Sequence, residues 1–356
     1  LTEEETGDFI KFKQSQGFDV KVIDFNWTGG TASLLQYYLK DYYQNIDPML
    51  EYVLLIGDID GSYPIPSFTI PSYNEDDIDV TDYPYTFIDN EMLNPVFYIG
   101  RWSIRTQEDL RIIKFKSIQY SAMDYVTDDT YLNKALIVAG NFKDDALSSD
   151  DWPVTPVMTS KWLMDKLYYH DYSSIDTVFF HKENPDPSNA PIIKSWDDGV
   201  GIVNYRGWGD SNGWKKPQFF REDIDPGLNN NFRLPIVMSF VCNTGDFGRD
   251  KCFGEVLITG GSLNRPKGAA AMIGPSDLDT DTKFNNVMCA AMWDELLEGR
   301  IPELAPALHA GKLALNKEFP SEQCGNYSCA EFYSHVYGVL GDPSISVWLG
   351  KPKNMV

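Results

Sequence analysis

Four short runs in this chain are almost wholly apolar: residues 52–56, 135–139, 236–241 and 269–273. A strand with one wet face alternates apolar and polar residues. A strand without that alternation is buried on both faces, which happens chiefly in parallel sheets roofed by helices. Helical periodicity fills the spaces between the runs. Leu34, Leu35, Tyr38, Leu39 and Tyr42 make one stripe over 33–46. Thr106 with Asp109 is the start signal of a capping box, ahead of apolar positions that run to about Met123. Strands alternating with helices predict an α/β fold with mainly parallel sheets covered on both faces.

The remaining elements follow the same rhythm. Helices are expected over 5–18, 156–169, 191–196, 253–258, 283–297 and 306–319, and further strands over 18–23, 96–99, 177–180 and 201–205. Residues 60–92 are rich in Pro, Asp and Tyr with weak periodicity, and are expected to be long loops. The polar stretch Thr127-Asp128-Asp129-Thr130 interrupts the alternation. It suggests a first α/β lobe over 1–130 and a second over 131–350, with 351–356 starting a linker. Leu1 follows no initiator Met and no apolar leader, which fits a piece of something longer.

Charge narrows the function. Thirty basic against 52 acidic residues give −22, and residues 41–100 hold twelve acids and no Lys or Arg. Such a surface repels phosphate backbones and anionic headgroups, so nucleic acid is excluded as a partner. No run of about 18 apolar residues exists, so membrane insertion is excluded too. Disorder is ruled out by a hydrophobic content of 43%. Two acidic groups have the hard oxygen donors that suit calcium. They are Asp76, Asp77, Asp79 and Asp82 in the first lobe, and Asp277, Asp279 and Asp281 in the second. The second group lacks the sixth-position Gly and closing Glu of an EF-hand. Of five cysteines, Cys324 and Cys329 bracket four residues and suit a small disulfide loop.

Sites in open parallel sheets form past the carboxyl ends of strands. Two such ends stand out. Asn204-Tyr205 runs into Arg206-Gly207-Trp208-Gly209-Asp210, and Phe240-Val241 runs into Cys242-Asn243-Thr244-Gly245-Asp246-Phe247. A Cys directly after a buried strand sits where a nucleophile would, and a glycine-flanked loop beside it can bring backbone amides to a reacting carbonyl.

These two segments, together with Tyr52–Asp58, Tyr98–Ser103, Cys252-Phe253-Gly254-Glu255 and Gly338–Ser344, resemble the gingipain-type cysteine peptidases of the caspase-like clan, in family order and over nearly the whole chain. The resemblance implies a caspase-like fold of two α/β/α lobes, secretion or a cell-surface location, protein or peptide partners, calcium, and a following immunoglobulin-like module. It places the nucleophile at Cys242 and an oxyanion amide at Gly209. The family's His position holds Trp208, and an acidic position after the strand 135–139 holds Asn141. Indole has no basic nitrogen and cannot shuttle a proton. The expectation is therefore a catalytically degenerate peptidase domain kept as a scaffold, binding or assembly module. The alternative is an active endopeptidase using Cys242 with another base, for which His181, at a strand end, is the one conceivable residue.

Overall fold

The computed structural model describes residues 3–88, 93–140, 156–180, 188–299 and 301–351. Eight strands join in one sheet: β1 (Tyr52–Ile56), β2 (Tyr98–Trp102), β3 (Lys134–Gly140), β4 (Ser174–Phe180), β5 (Ile202–Arg206), β6 (Ile236–Phe240), β7 (Ala271–Pro275) and β8 (Tyr337–Leu340). Their order across the sheet is β1-β2-β8-β7-β6-β5-β3-β4. The last five are mutually parallel. β8 pairs antiparallel with β7 and parallel with β2, so β1, β2 and β8 run the other way.

The missing alternation now has its cause. Successive residues of a strand face opposite sides, and both sides of this sheet are roofed. Ala135, Ile137, Ile202, Ile236 and Met238 face one core, shared with Leu163 of α4 (Pro156–Tyr169) and with Met288 and Met292 of α8 (Thr282–Leu297). Leu136, Val138, Val203 and Val237 face another, against Trp196 of α5 (Ala190–Asp198), Ile224 of α6 (Arg221–Gly227) and Leu257 of α7 (Phe253–Thr259). At the amino end, α1 (Glu3–Ser15), α2 (Ala32–Asn45) and α3 (Gln107–Ala122) cover β1 and β2, and Thr106 and Asp109 form the expected reciprocal cap on α3. Closing the chain are α9 (Leu304–Glu318) and α10 (Cys329–Val336), and Cys324 and Cys329 form the expected disulfide.

Two expectations need correction. Residues 18–23 alternate like a strand but pair with nothing in the sheet; Val22 and Ile23 are exposed, and Phe18 touches the sheet edge through Tyr52. Residues 60–92 are more ordered than loops. They hold a hairpin, Phe68–Pro71 against Ile78–Thr81, and a 3-10 turn at Tyr83–Thr86. What orders this segment is a side chain far along the sequence. The buried Arg101 guanidinium donates to both carboxylate oxygens of Asp82 at 2.7 Å, and to the carbonyls of Gly57 (2.7 Å) and Ile65 (2.9 Å). Its own carbonyl accepts the Gly341 N–H, 2.9 Å away, where β8 ends. Glycine is required at that meeting point: a Cβ on Gly100 would lie 2.6 Å from the Gly341 carbonyl.

Arg101→Met should therefore cost about 3–5 kcal/mol, because the Asp82 side chain, only 10% exposed, loses its partner. Urea unfolding reads this as a lower midpoint at unchanged slope. A loss below about 1 kcal/mol would mean that the ion pair does not organise the segment.

Candidate active site

On the adjacent parallel strands β5 and β6, Tyr205 pairs with Ser239 and Arg206 with Phe240. Trp208 and Cys242 each stand two residues beyond the last pair, so they leave the sheet side by side. Glycines keep this exit tight. A Cβ on Gly207 would lie 2.6 Å from the Tyr205 hydroxyl, and one on Gly209 would meet the Gly213 carbonyl at 2.8 Å and Val241 at 3.4 Å. The Tyr205 hydroxyl pins the loop from beneath: it accepts the Trp208 N–H at 3.2 Å and lies 2.8 and 3.0 Å from the carbonyls of Trp208 and Lys216. Beyond it a small antiparallel sheet (Gly209–Asp210, Gly213–Lys215, Gln218–Phe220) folds Trp214 inward. Trp214 is fully buried, stacked on Tyr205 with centroids 4.5 Å apart, and donates to the Ser239 hydroxyl at 3.0 Å. Trp208 is 41% exposed, with the Lys215 ammonium 5.2 Å from its ring centroid. The two tryptophans therefore do not form one stacking surface.

Cys242 is 4% exposed. Its thiol donates to the Thr280 carbonyl at 3.8 Å and accepts from the Thr280 hydroxyl at 3.6 Å. Asn285 donates to that hydroxyl at 3.0 Å, and the Tyr337 hydroxyl donates to Asn285 at 2.6 Å. Sequence reasoning missed Thr280, Asn285 and Tyr337, and nothing in their local pattern signals a role. Burial pushes the thiol up to about 11, although the Thr280 hydrogen bond pulls the other way. The described imidazoles have other partners. His170 ends α4 against Tyr169, His309 lies against Tyr98, and His335 lies against Thr81 and Tyr83. Asn141 and His181 lie outside the described residues.

The seven candidate metal acids separate. Asp82 is committed to Arg101, Asp77 pairs with Arg249, Asp281 caps α8, and Asp76 is exposed. Asp279 contributes its carbonyl to the Tyr73 hydroxyl at 3.1 Å. Asp79 and Asp277, from the two different groups, come together inside the protein. Ser72 donates to Asp277 at 2.9 Å, and the Asp277 carbonyl accepts the Asn243 N–H at 2.7 Å, beside Cys242. With both carboxyls ionised, Asp79 Oδ2 has no hydrogen-bond partner; a proton on Asp79 supplies one, Asp277. Burial first, and then the Asp277 charge, push Asp79 up to about 8. Among the described residues no three acidic, His or Cys side chains converge as a metal-binding set.

A raised carboxyl pKa means that the folded state holds the proton over a range where the unfolded chain, near 3.8, has lost it. Stability is then fully supported below about 4 and declines as pH rises toward about 8. Asp79→Asn should remove that decline. Urea midpoints for both proteins across this range check it; parallel curves would show that the pair does not share a proton.

Comparison with known proteins places the chain in a family and a fold. The model of peptidase family C25 matches residues 3–348. Gingipain R2 of Porphyromonas gingivalis is 27% identical over 300 residues, which cover 81% of this chain and 38% of that protein. Gingipain R1 of the same species is 27% identical over 295 residues, 79% of this chain and 28% of its own length. The chain thus spans well under half the length of the curated relatives it matches. The crystal structure of the Arg-specific cysteine proteinase gingipain R superposes with a TM-score of 0.84 at 24% identity, covering 97% of this chain and 76% of that one. That likeness establishes the caspase-like α/β fold.

Proposed function

This chain belongs to peptidase family C25, and from that membership we propose that it is a gingipain-like cysteine peptidase domain whose catalytic site has decayed, retained outside the cell as a binding or assembly module. One observation carries the reading. The thiol at the nucleophile position is locked to Thr280, while the neighbouring strand end presents an indole. A cysteine peptidase must form a thiolate and then protonate the leaving amine. Neither task has a group here among the described residues: Thr280 is neutral, and Trp208 offers one N–H donor with no basic nitrogen. Losing general acid–base help alone costs roughly 10²–10⁴ in rate. The raised thiol adds to this, since at neutral pH it holds on the order of a hundredfold less thiolate than a free cysteine.

Secretion rests on the Cys324–Cys329 disulfide, which fits an oxidising compartment. No described helix is long and apolar enough to cross a membrane. A protein or peptide partner is proposed because the fold that presents this site handles polypeptide in its relatives.

The test is chemical. The protein should cleave no member of a diverse peptide library faster than its Cys242→Ala variant does, and iodoacetamide should label Cys242 slowly at pH 7, accelerating as pH rises toward 11. Rapid labelling at neutral pH, lost in Cys242→Ala and accompanied by cleavage, would instead establish an active endopeptidase with a base such as His181.

Calcium is proposed for the Asp79–Asp277 pair. Two buried carboxylates side by side, one with an orphaned oxygen, are hard donors for such an ion, and the Ser72 hydroxyl adjoins them. An ion bound there would take the place of the shared proton. Added calcium at pH 7 should raise the melting temperature and release about one proton; chelator should reverse both, and Asp79→Asn should abolish both. An unchanged midpoint with no proton release would sink the assignment.

A further inference from the structure

A cavity of about 60 Å³ lies between β2, β8, α9 and α10. A water needs roughly 10–15 Å³ of such space, so this one holds a few waters or one small ion. The cavity is not simply apolar. Lys312 of α9 lines it, 6% exposed, and donates to the carbonyls of Ser334 (2.9 Å) and Tyr337 (2.7 Å). An ammonium has three donors, and no carboxylate pairs with this one among the described residues. Asp82 lines the same cavity, but both its oxygens are held by Arg101. Tyr83, under the Lys312 ammonium at 4.7 Å, is 6% exposed, and its hydroxyl has no hydrogen-bond partner; the Ser334 hydroxyl near it donates to the Ala330 carbonyl. His335 and His309 also face this space, each with one ring nitrogen unpartnered.

A buried cation with neutral partners and a spare donor, beside an unpartnered phenol, is half of an ion pair. Desolvation of a lone charge is costly, and the described residues supply no counter-charge. We infer that this cavity is a binding site for a small monovalent anion of halide or formate size, held by Lys312 Nζ and the Tyr83 hydroxyl. Its size excludes phosphate esters and peptide. The two imidazoles are neutral without it: burial, with Lys312 as the next cause, holds both down to about 4, and burial holds Lys312 down to about 7. An arriving anion reverses that balance, so binding takes up protons near neutral pH. The site adjoins the thiol through one residue. The Tyr337 carbonyl accepts from Lys312, and the Tyr337 hydroxyl begins the chain through Asn285 and Thr280 to Cys242.

Thermal melts at constant ionic strength test this, with sodium bromide, chloride and formate compared against isethionate, an anion too large for the cavity. The small anions should raise the midpoint saturably, with proton uptake, and isethionate should not. Lys312→Met should abolish the difference. Should that variant fail to fold, Tyr83→Phe keeps the ring and should weaken apparent affinity about tenfold, as loss of a hydrogen bond to a charge does. Crystals grown in bromide should show anomalous scattering within about 3.5 Å of Lys312 Nζ. Equal responses to all four salts, or water alone at that position in bromide, would overturn the inference.

Discussion

The candidate site hangs on one buried cation. Arg206 ends β5, is 1% exposed, and has no carboxylate partner among the described residues. Its guanidinium donates to the Phe240 carbonyl at the end of β6, to the Thr282 carbonyl at 3.1 Å, and to Asn286 on α8. Three pieces of chain are thereby fixed together: the exit carrying Trp208, the exit carrying Cys242, and the start of α8, which follows Thr280. Charge-assisted bonds to carbonyls are about twice as strong as neutral ones, and a planar fork can serve several at once. A neighbouring cation ordinarily acidifies a thiol. Burial is the larger effect, and the thiol stays up. The arginine organises the strand ends without acidifying the thiol.

That separation of architecture from chemistry explains the pattern of residues at the site. Gly207 is demanded by the Tyr205 hydroxyl, and Gly209 by Val241 and the Gly213 carbonyl. Replacing Gly207 would displace the Tyr205 hydroxyl, and replacing Gly209 the Gly213 backbone, so packing requires both whatever the site does. Position 208 lies between them at the loop tip, partly in solvent. Packing does not dictate its identity; proton transfer would. A tryptophan there is compatible with the fold, and under the proposed reading it is the substitution that removes proton transfer without disturbing the packing.

Much of the fold was legible because burial on both faces leaves a plain mark: the uninterrupted apolar runs became β1, β3, β6 and β7, with ends shifted by a residue or two. The 18–23 strand failed because alternation shows only that one face can be covered, not that a partner strand is available. The hairpin after residue 60 was hidden because Arg101 orders it from a distance. The quoted motifs divide in the same way. Gly57, Gly100 and Gly341 are close approaches of backbone, and Glu255 accepts from Ser103 at 2.6 Å and from the Cys252 N–H at 2.7 Å. They identify the fold because they hold it together. Thr280 at the thiol, and the meeting of Asp79 with Asp277, depend on which loops the sheet order brings together, and no local pattern records that.

The interior handles charge by protonation as much as by pairing, and this changes the meaning of the formal −22. Asp79 is pushed up to about 8 and Glu255 to about 7, in both cases mainly by burial. Lys116 and Lys312, also buried, are pushed down to about 7. Lys312 is bonded to backbone carbonyls, and so is Lys116, to Leu257 at 3.0 Å and to Lys267. Two acids and two bases are thus poised near neutrality with opposite linkage. The acids hold extra protons in the folded state from about pH 4 to their raised values, so their contribution to stability falls as pH rises through that window. The lysines hold fewer protons than the unfolded chain above about 7, so their contribution grows from there toward 10.5. The contributions of these four groups are jointly lowest around pH 7–8, the range in which the proposed cation at the acids or the proposed anion at Lys312 would offset the most burial cost.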